Sequence, residues 1–263
     1  MGRVLAVLAL AGMLSFGFSG FGWAGQTAGT CPLETFEGGV VRRVLDGNTV
    51  VLEGGGQVRL TGIGAMAPFP GTDAAKAKLE ALVLKRHIRL GYGGWRLDRY
   101  KRKLAQIFVS GNAKPLWVQG EMVRSGLARV VSFADNRACI EPLLQLERRA
   151  RENRRGMWAL RSYRVVSASD RDELIQRTGQ FGIVRGQIVA VARKGSRIFL
   201  NFDRDWRHDF TVLIAARNWK MFAGKGFDLE SLRGRKVQVR GWLRQWNGPM
   251  IEIDHPEQIE LLN

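Results

Sequence analysis

The sequence contains few of the residues that usually bind transition metals. Two cysteines and three histidines are scattered over 263 residues, which excludes a zinc site built from clustered cysteine and histidine ligands. Beyond residue 24, no segment approaches the ~20 uncharged apolar residues that a transmembrane helix needs. We therefore expect no membrane-spanning segment in the mature chain.

Acidic residues are also scarce, at 24 against 41 lysines and arginines, and the formal net charge is +17. Hydrophobic residues make up 45% of the chain, which is enough for packed cores and excludes wholesale disorder. A folded protein with this charge is expected to contact nucleic acid, another anionic polymer or an anionic surface.

Residues 1–24 have the pattern of a secretory signal peptide. Arg3 provides a positive start, an apolar run follows, and Gly22-Trp23-Ala24 resembles a cleavage site. An apolar run of about 15 residues is short for a membrane span, so cleavage is favoured over retention as an anchor. The sequence thus predicts a periplasmic or secreted protein.

Cys31 and Cys139 are the chain's two cysteines. In an oxidising compartment they are expected to form a disulfide, which would close a long loop. The alternative is a pair of buried free thiols, because the sequence does not show whether the two residues are neighbours.

Turn residues between short apolar runs predict two β-rich blocks. In the first we expect strands at 40–45, 49–52, 57–63, 87–92 and 103–109 and helices at 72–84, 115–125 and 139–155. A connector at 161–180 carries a short helix capped near Asp170. In the second block we expect strands at 181–191, 197–202, 210–214, 236–242 and 250–253, with a helix near 216–222. A helix between the third and fourth of five strands is typical of an OB barrel.

Motifs in the first block resemble the staphylococcal nuclease (thermonuclease) family. They are VLDGNTV at 44–50, VRLTGI at 58–63 and DRYKRKLA at 98–105, continued by GLA at 126–128 and GMW at 156–158. Their order and spacing agree with the family over roughly residues 38–160. For this block the resemblance implies an OB-type five-stranded barrel packed with three helices. Together with the second small OB-like barrel that the strand order predicts at 181–263, we expect a mainly β protein with helices (α+β).

Members of this family hydrolyse phosphodiesters with one hard cation, a glutamate that activates water, and two arginines that hold the phosphate. The resemblance places those arginines at Arg59 and Arg102, and nucleotide contacts at Arg99 and Tyr100. Arginine suits this role because its planar guanidinium can donate two hydrogen bonds to one phosphate.

The cation and base positions depart from the family pattern. Asp46 is kept, but one cation-binding aspartate falls on Asn48 and a second on Gly64, while the glutamate falls on Ala67 and a base-stacking tyrosine on Ser132. A hard cation prefers charged oxygens, and alanine accepts no proton, which removes about 10²–10⁴ in rate. We expect at most a weak metal site at Asp46 and Asn48, and hydrolysis lost or strongly reduced.

Simpler roles exist for several of these residues. Asp73 could replace the missing acid, but an acid in the first turn of the predicted helix also fits the helix dipole. Arg59 and Arg102 could pair with Asp98 or Asp46 rather than with phosphate.

In the second block, basic residues lie among aromatic ones, as in OB folds that hold single-stranded nucleic acid. Trp246 lies beside a predicted hairpin turn and is the candidate to stack on a base. Phe199, Phe210 and Trp242 are expected to fill the barrel core.

Three functions remain open. The favoured one is an exported nuclease-like protein that binds nucleic acid or another phosphate-rich polymer without hydrolysing it and without a cofactor. The second is a calcium-dependent DNA/RNA nuclease with a rearranged site around Asp46, Asn48 and Asp73. The third is a structural envelope protein that contacts protein partners. The first is preferred because both arginines are kept while the acids are not.

Overall fold

A computed structural model describes residues 31–65, 72–110, 115–205 and 207–262. The predicted signal peptide and Ala67 lie outside the described residues. Within them, none of the helices has the length and apolar character needed to cross a membrane.

The first part of the chain forms a closed five-stranded barrel. β1 pairs with β2 and β5, β2 pairs with β3, β5 pairs with β6, and a parallel pairing of β3 with β6 closes the ring. The strands of this part are β1 (Glu34–Asp46), β2 (Thr49–Leu52), β3 (Gln57–Leu60), β4 (Ile63–Gly64), β5 (His87–Tyr92), β6 (Lys103–Val109), β7 (Leu116–Trp117) and β8 (Arg129–Val130). β1 is long enough to serve both neighbours, β5 through its first half and β2 through its second.

Three helices pack on this barrel: α1 (Thr72–Val83), α2 (Val118–Arg124) and α3 (Ile140–Glu152). Their apolar residues Leu79, Met122 and Leu143 are fully buried in the same cluster as the strands. The helix predicted from residue 115 starts later because Leu116 and Trp117 pair with β6. Two short 3-10 helices, Gly156–Ala159 and Arg161–Tyr163, follow α3.

The second part of the described chain is a curled, OB-like sheet with its own hydrophobic cluster. Its strands are β9 (Val166–Ser167), β10 (Phe181–Gln187), β11 (Ala190–Lys194), β12 (Arg197–Asn201), β13 (Thr211–Ala215), β14 (Lys236–Trp246), β15 (Gly248–Ile253) and β16 (Ile259–Leu262). Its helices are α4 (Arg171–Gln176), which Asp170 caps by accepting from the Glu173 amide, and α5 (Trp219–Ala223). The predicted helix between the third and fourth strands is therefore present.

One predicted strand, 181–191, is two strands in the structure. The break at Ile188 and Val189 is where the chain changes partner: the Ile188 amide donates to Arg235 O and the Val189 amide to Asn201 O. β10 therefore pairs with β14, and β11 with β12.

Two of the aromatic residues expected in the second core face away from it. Phe210 is buried, but Trp242 is 44% exposed, and Phe199 lies between Ile198 and Leu200, which occupy the core. Because neighbouring residues of a strand point to opposite faces, Phe199 lies on the outer face. The core prediction was wrong for Phe199 and Trp242.

The predicted disulfide between Cys31 and Cys139 is present, with 4.9 Å between the two Cα atoms. It ties the segment before β1 to the residue before α3.

Polar contacts join the two parts of the chain. Arg240 of β14 forms an ion pair with Glu147 of α3. Arg137 forms a bidentate ion pair with Glu257, with N–O distances of 2.7 and 2.8 Å. His255 Nε2 lies 2.7 Å from the hydroxyl of Ser132. The second sheet is thus docked on the α3 side of the first barrel.

Candidate phosphate-binding cleft

A cleft of about 730 Å³ opens where β3 meets β6. Its walls are the end of β3, the loop that precedes β6, and the loop that follows β8. Four predicted site residues line it together: Arg59, Arg99, Tyr100 and Arg102. The parallel pairing of β3 and β6 explains this, because it places Arg59 opposite Leu104 and hence beside the loop that carries the others.

Arg59 is half-buried at the side of the cleft. Burial lowers its pKa, and the positive charge of Arg102 lowers it further, while Asp46 and Asp98 act in the opposite direction. The ordinary arginine pKa is so high that the side chain still carries its charge at neutral pH. Two neighbouring guanidinium groups repel each other, so a phosphate bound between them would relieve that repulsion.

Arg102 is paired with Asp98. Its Nε and Nη2 atoms each lie 2.7 Å from Asp98 Oδ2. The other oxygen, Asp98 Oδ1, accepts from the amides of Tyr100 and Arg102 at 2.8 and 3.0 Å. Burial raises the pKa of Asp98, but the hydrogen bonds from Arg102 and Tyr100 outweigh it and hold the pKa below its ordinary value. An anion at this position would therefore compete with Asp98 for Arg102.

Exposed aromatic rings surround the arginines. Tyr100 is 63% exposed, and the guanidinium carbons of Arg99 and Arg102 lie 4.7 and 5.2 Å from its ring centre. Trp95 and Phe133 also line the cleft and are 70% and 53% exposed. Neither ring was predicted from the sequence. The signal present in the sequence is that Phe133 adjoins Ser132, where the resemblance places a base-stacking tyrosine.

The residues at the expected cation position do not fit a hard divalent ion. Asp46 Oδ1 accepts from the Asn48 amide at 2.8 Å, and buried Asn48 accepts at its own Oδ1 from the Thr49 hydroxyl. Gly64 is buried and has no side chain. Calcium takes six to eight oxygen ligands and binds more tightly as carboxylates are added. Over the described ranges, no group of three or more His, Cys, Asp or Glu residues could hold a metal ion.

Gly47 fixes the backbone that carries Asp46 and Asn48. A Cβ atom on Gly47 would lie 2.5 Å from Ala65 Cβ and 2.9 Å from Ala75 Cβ. The turn between β1 and β2 therefore packs directly against α1. Asp73, the candidate replacement acid, lies in the first turn of α1. This is the position at which an acid interacts favourably with the helix dipole.

Two further predicted positions lie elsewhere. Ser132 is buried against His255, so the contact between the barrels occupies it. Trp246 lies on the outer face of the second sheet, 47% exposed, with the guanidinium carbon of Arg197 4.7 Å from its ring centre.

A comparison with curated proteins finds no match. A family model described as "Staphylococcal nuclease homologue" matches residues 58–160, a segment that runs from β3 through α3 and contains Arg59, Arg99, Tyr100 and Arg102. The matched segment is less than half of the chain and does not include the second sheet. Residues 58–160 therefore form a nuclease-related domain that is similar to staphylococcal nuclease.

Proposed function

We propose that this protein binds nucleic acid or another phosphate-rich polymer through the cleft of its nuclease-related domain, and that it does so without hydrolysing the polymer. The observation that carries the proposal is the contrast inside the site. Arg59 and Arg102 line one cleft, while the neighbouring Asp46, Asn48 and Gly64 supply a single carboxylate.

Phosphate binding is supported by the chemistry that remains. Charge-assisted hydrogen bonds from guanidinium groups to phosphate are among the stronger ones in proteins. Arg99 beside Tyr100 adds a further cation and a ring face on which a base can stack. The domain therefore keeps the groups that hold a nucleotide.

Loss of hydrolysis is supported by the chemistry that is missing. Arginines stabilise developing negative charge, but a separate base must take the proton from the attacking water. The residue at that position in the sequence is Ala67. Asp46 already accepts a backbone hydrogen bond and is without a second carboxylate at the Asn48 or Gly64 position.

We propose that the protein acts outside the cytoplasm, in the periplasm or after secretion. The disulfide between Cys31 and Cys139 supports this, because such bonds persist in oxidising compartments. The signal-like composition of residues 1–24 agrees with it.

The test measures binding and cleavage of fluorescein-labelled single-stranded DNA and RNA, with calcium or with a chelator. The variant is Arg59→Ala/Arg102→Ala. Its control is Arg124→Ala/Arg149→Ala, which removes the same charge from exposed positions on α2 and α3. We expect binding without cleavage in the wild type. The slope of log affinity against log salt should become shallower by roughly 1.4 in the cleft variant, since each lost phosphate contact contributes about 0.7.

Two results would overturn this proposal. Equal affinity and equal salt dependence for the cleft variant and its control would show that phosphate does not bind at Arg59 and Arg102. Calcium-dependent cleavage that the cleft variant abolishes would establish the alternative, a divalent-metal-dependent endonuclease with a rearranged site. One observation favours this alternative: the cleft region keeps the carboxylate of Asp46, whose negative charge acts on Arg59 and raises its pKa.

A further inference from the structure

Part of the outer face of the second sheet is apolar, although polar residues such as Asn201 and Thr211 lie on the same face. On β12, β13 and β15, Ile198, Leu200, Val212, Ile214, Ile251 and Ile253 point into the core. The alternating residues Phe199, Leu213 and Met250 therefore share the opposite face and line one depression of about 520 Å³. The solvent side of such a sheet is usually polar; here Leu213 and Met250 form an almost fully buried apolar floor, and Phe199 beside them is half-buried.

Cations surround that apolar floor. Trp246 and Arg197 form one wall, and Lys194, Arg217 and Arg244 line the same pair of adjoining depressions. Glu252 lines it too, but it is paired with Arg244 at 3.2 Å. An apolar floor with exposed rings and a positive rim is complementary to bases joined by phosphates.

This face continues to the phosphate-binding cleft. On β14, Trp242, Arg244 and Trp246 alternate along one side of the strand. Trp242 and Arg244 line a depression of about 290 Å³ together with Phe133. Phe133 also lines the cleft that contains Arg59 and Arg102, so neighbouring depressions share residues along the whole path.

We propose that one single strand of nucleic acid binds along this path, from the cleft to the outer face of the second sheet. The exposed rings that we call the aromatic track, Tyr100, Phe133, Trp242 and Trp246, offer stacking faces at intervals, and arginines lie beside both ends. The inference rests on the proposed function, because the cleft must first bind phosphate.

The chemistry favours a single strand over a duplex. Stacking requires unpaired base faces, which a duplex keeps inside its own helix, and an aromatic ring typically stabilises each stacked base appreciably. A strand that engages both ends gains affinity because the second contact becomes intramolecular. Affinity should therefore rise with oligonucleotide length until both ends are reached.

The test is a length series of fluorescein-labelled oligo(dT) and oligo(rU) binding to the full protein at fixed salt. The variants are Trp242→Ala and Trp246→Ala, with Trp246→Phe to keep a ring at that position. The matched controls lie off the track: Leu261→Ala, an exposed apolar residue of β16, and Arg233→Gln, an exposed cation. Circular dichroism melts check that each variant folds.

We expect Trp246→Ala to weaken binding of long oligonucleotides by roughly tenfold and to remove the rise in affinity beyond the length that fills the cleft. Trp246→Phe should retain most of the affinity. Duplex DNA of equal length should bind more weakly than the single strand.

The inference is overturned if Trp242→Ala and Trp246→Ala bind long oligonucleotides as tightly as Leu261→Ala does. If Arg59→Ala/Arg102→Ala still weakens binding in that case, the proposed function stands while the track falls. If the tryptophan variants lose affinity and the cleft variant does not, both the proposed function and the continuous path are wrong.

Discussion

Replacement of Arg240 by methionine would test what holds the two barrels together. Arg240 is 1% exposed on β14. Its two terminal nitrogens donate to Glu147 Oε2 at 2.8 Å and to Glu260 Oε1 at 2.9 Å. Glu147 is fully buried, and its other oxygen accepts from the Val130 amide at 2.7 Å. One cation therefore bridges two carboxylates at the contact between the barrels, and Arg148 forms a second ion pair with Glu260.

Loss of that cation leaves the buried carboxylate of Glu147 without its ion-pair partner, while Glu260 keeps its contacts with Arg148 and Gln238. Breaking a buried ion pair from one side typically costs about 3–5 kcal/mol, a large share of the 5–15 kcal/mol that stabilises a typical domain. We therefore expect Arg240→Met to lower the free energy of unfolding by about 3–5 kcal/mol at neutral pH.

The effect should depend on pH with a definite sign. Burial raises the pKa of Glu260, but the charge and hydrogen bond of Arg240, together with hydrogen bonds from Arg148 and Gln238, outweigh it and hold the pKa below its ordinary value. A carboxyl group with a lowered pKa stabilises the fold above its unfolded pKa of about 4.3, and this contribution is lost as pH falls through the folded pKa. The difference between wild type and variant should thus be largest at neutral pH and should shrink in acid.

Urea unfolding followed by circular dichroism and tryptophan fluorescence measures this difference. The matched control is Arg244→Met on the same strand. Its ion pair with Glu252 is 3.2 Å long but largely exposed, so the expected cost is at most about 1 kcal/mol. If both variants cost the same, or if the cost of Arg240→Met does not change with pH, the buried pairing is not what joins the barrels.

Three other predictions concern the cleft, the disulfide and the β1–β2 turn. Asp98→Asn should strengthen single-strand binding several-fold, because Arg102 is released while the amide oxygen still accepts the turn's hydrogen bonds; unchanged affinity in an anisotropy titration would contradict this. Reduction of the disulfide, which spans 108 residues, should lower the free energy of unfolding by up to about 4–5 kcal/mol, and an unchanged urea midpoint in dithiothreitol would refute it. Gly47→Ala should cost about 1–3 kcal/mol through overpacking, whereas Gly54→Ala, with no atom within 4 Å of the new Cβ, should cost less; equal losses would show that the close approach is not the cause.

Local sequence patterns predicted most of the strands because alternation and turn residues act over a few positions. Val50 and Val58 are fully buried on paired strands, as that pattern requires. The partner change at Ile188 and Val189 was not predictable in this way. It depends on which distant strands are neighbours, and the local run of apolar residues continues through it.

For the cleft, the sequence predicted the arginines and Tyr100 but not the rings of Trp95 and Phe133. Arg59 and Arg102 belong to motifs whose spacing is fixed along the chain. Trp95 and Phe133 lie in loops far apart in sequence, and their exposure exists only after those loops meet. The burial of Ser132 likewise depends on the docking of a residue from the second sheet, His255.

Trp242 was assigned to the wrong side of its strand because the assignment followed the apolar character of its ring. Residues 237–241 are all buried, yet Val237 and Val239 alternate with Gln238 and Arg240, and this alternation places Trp242 on the same face as Gln238 and Arg240. Val237, Val239 and Leu243 point into the second core. The intervening residues of β14 share the other face. On this face Arg240 forms ion pairs with Glu147 of α3 and with Glu260, and further along the strand Trp242 and Trp246 are exposed. One face of β14 therefore carries both the contact with the first barrel and two rings of the aromatic track. Because the strand is rigid between them, the docking that buries Arg240 also fixes where Trp242 and Trp246 lie relative to the cleft.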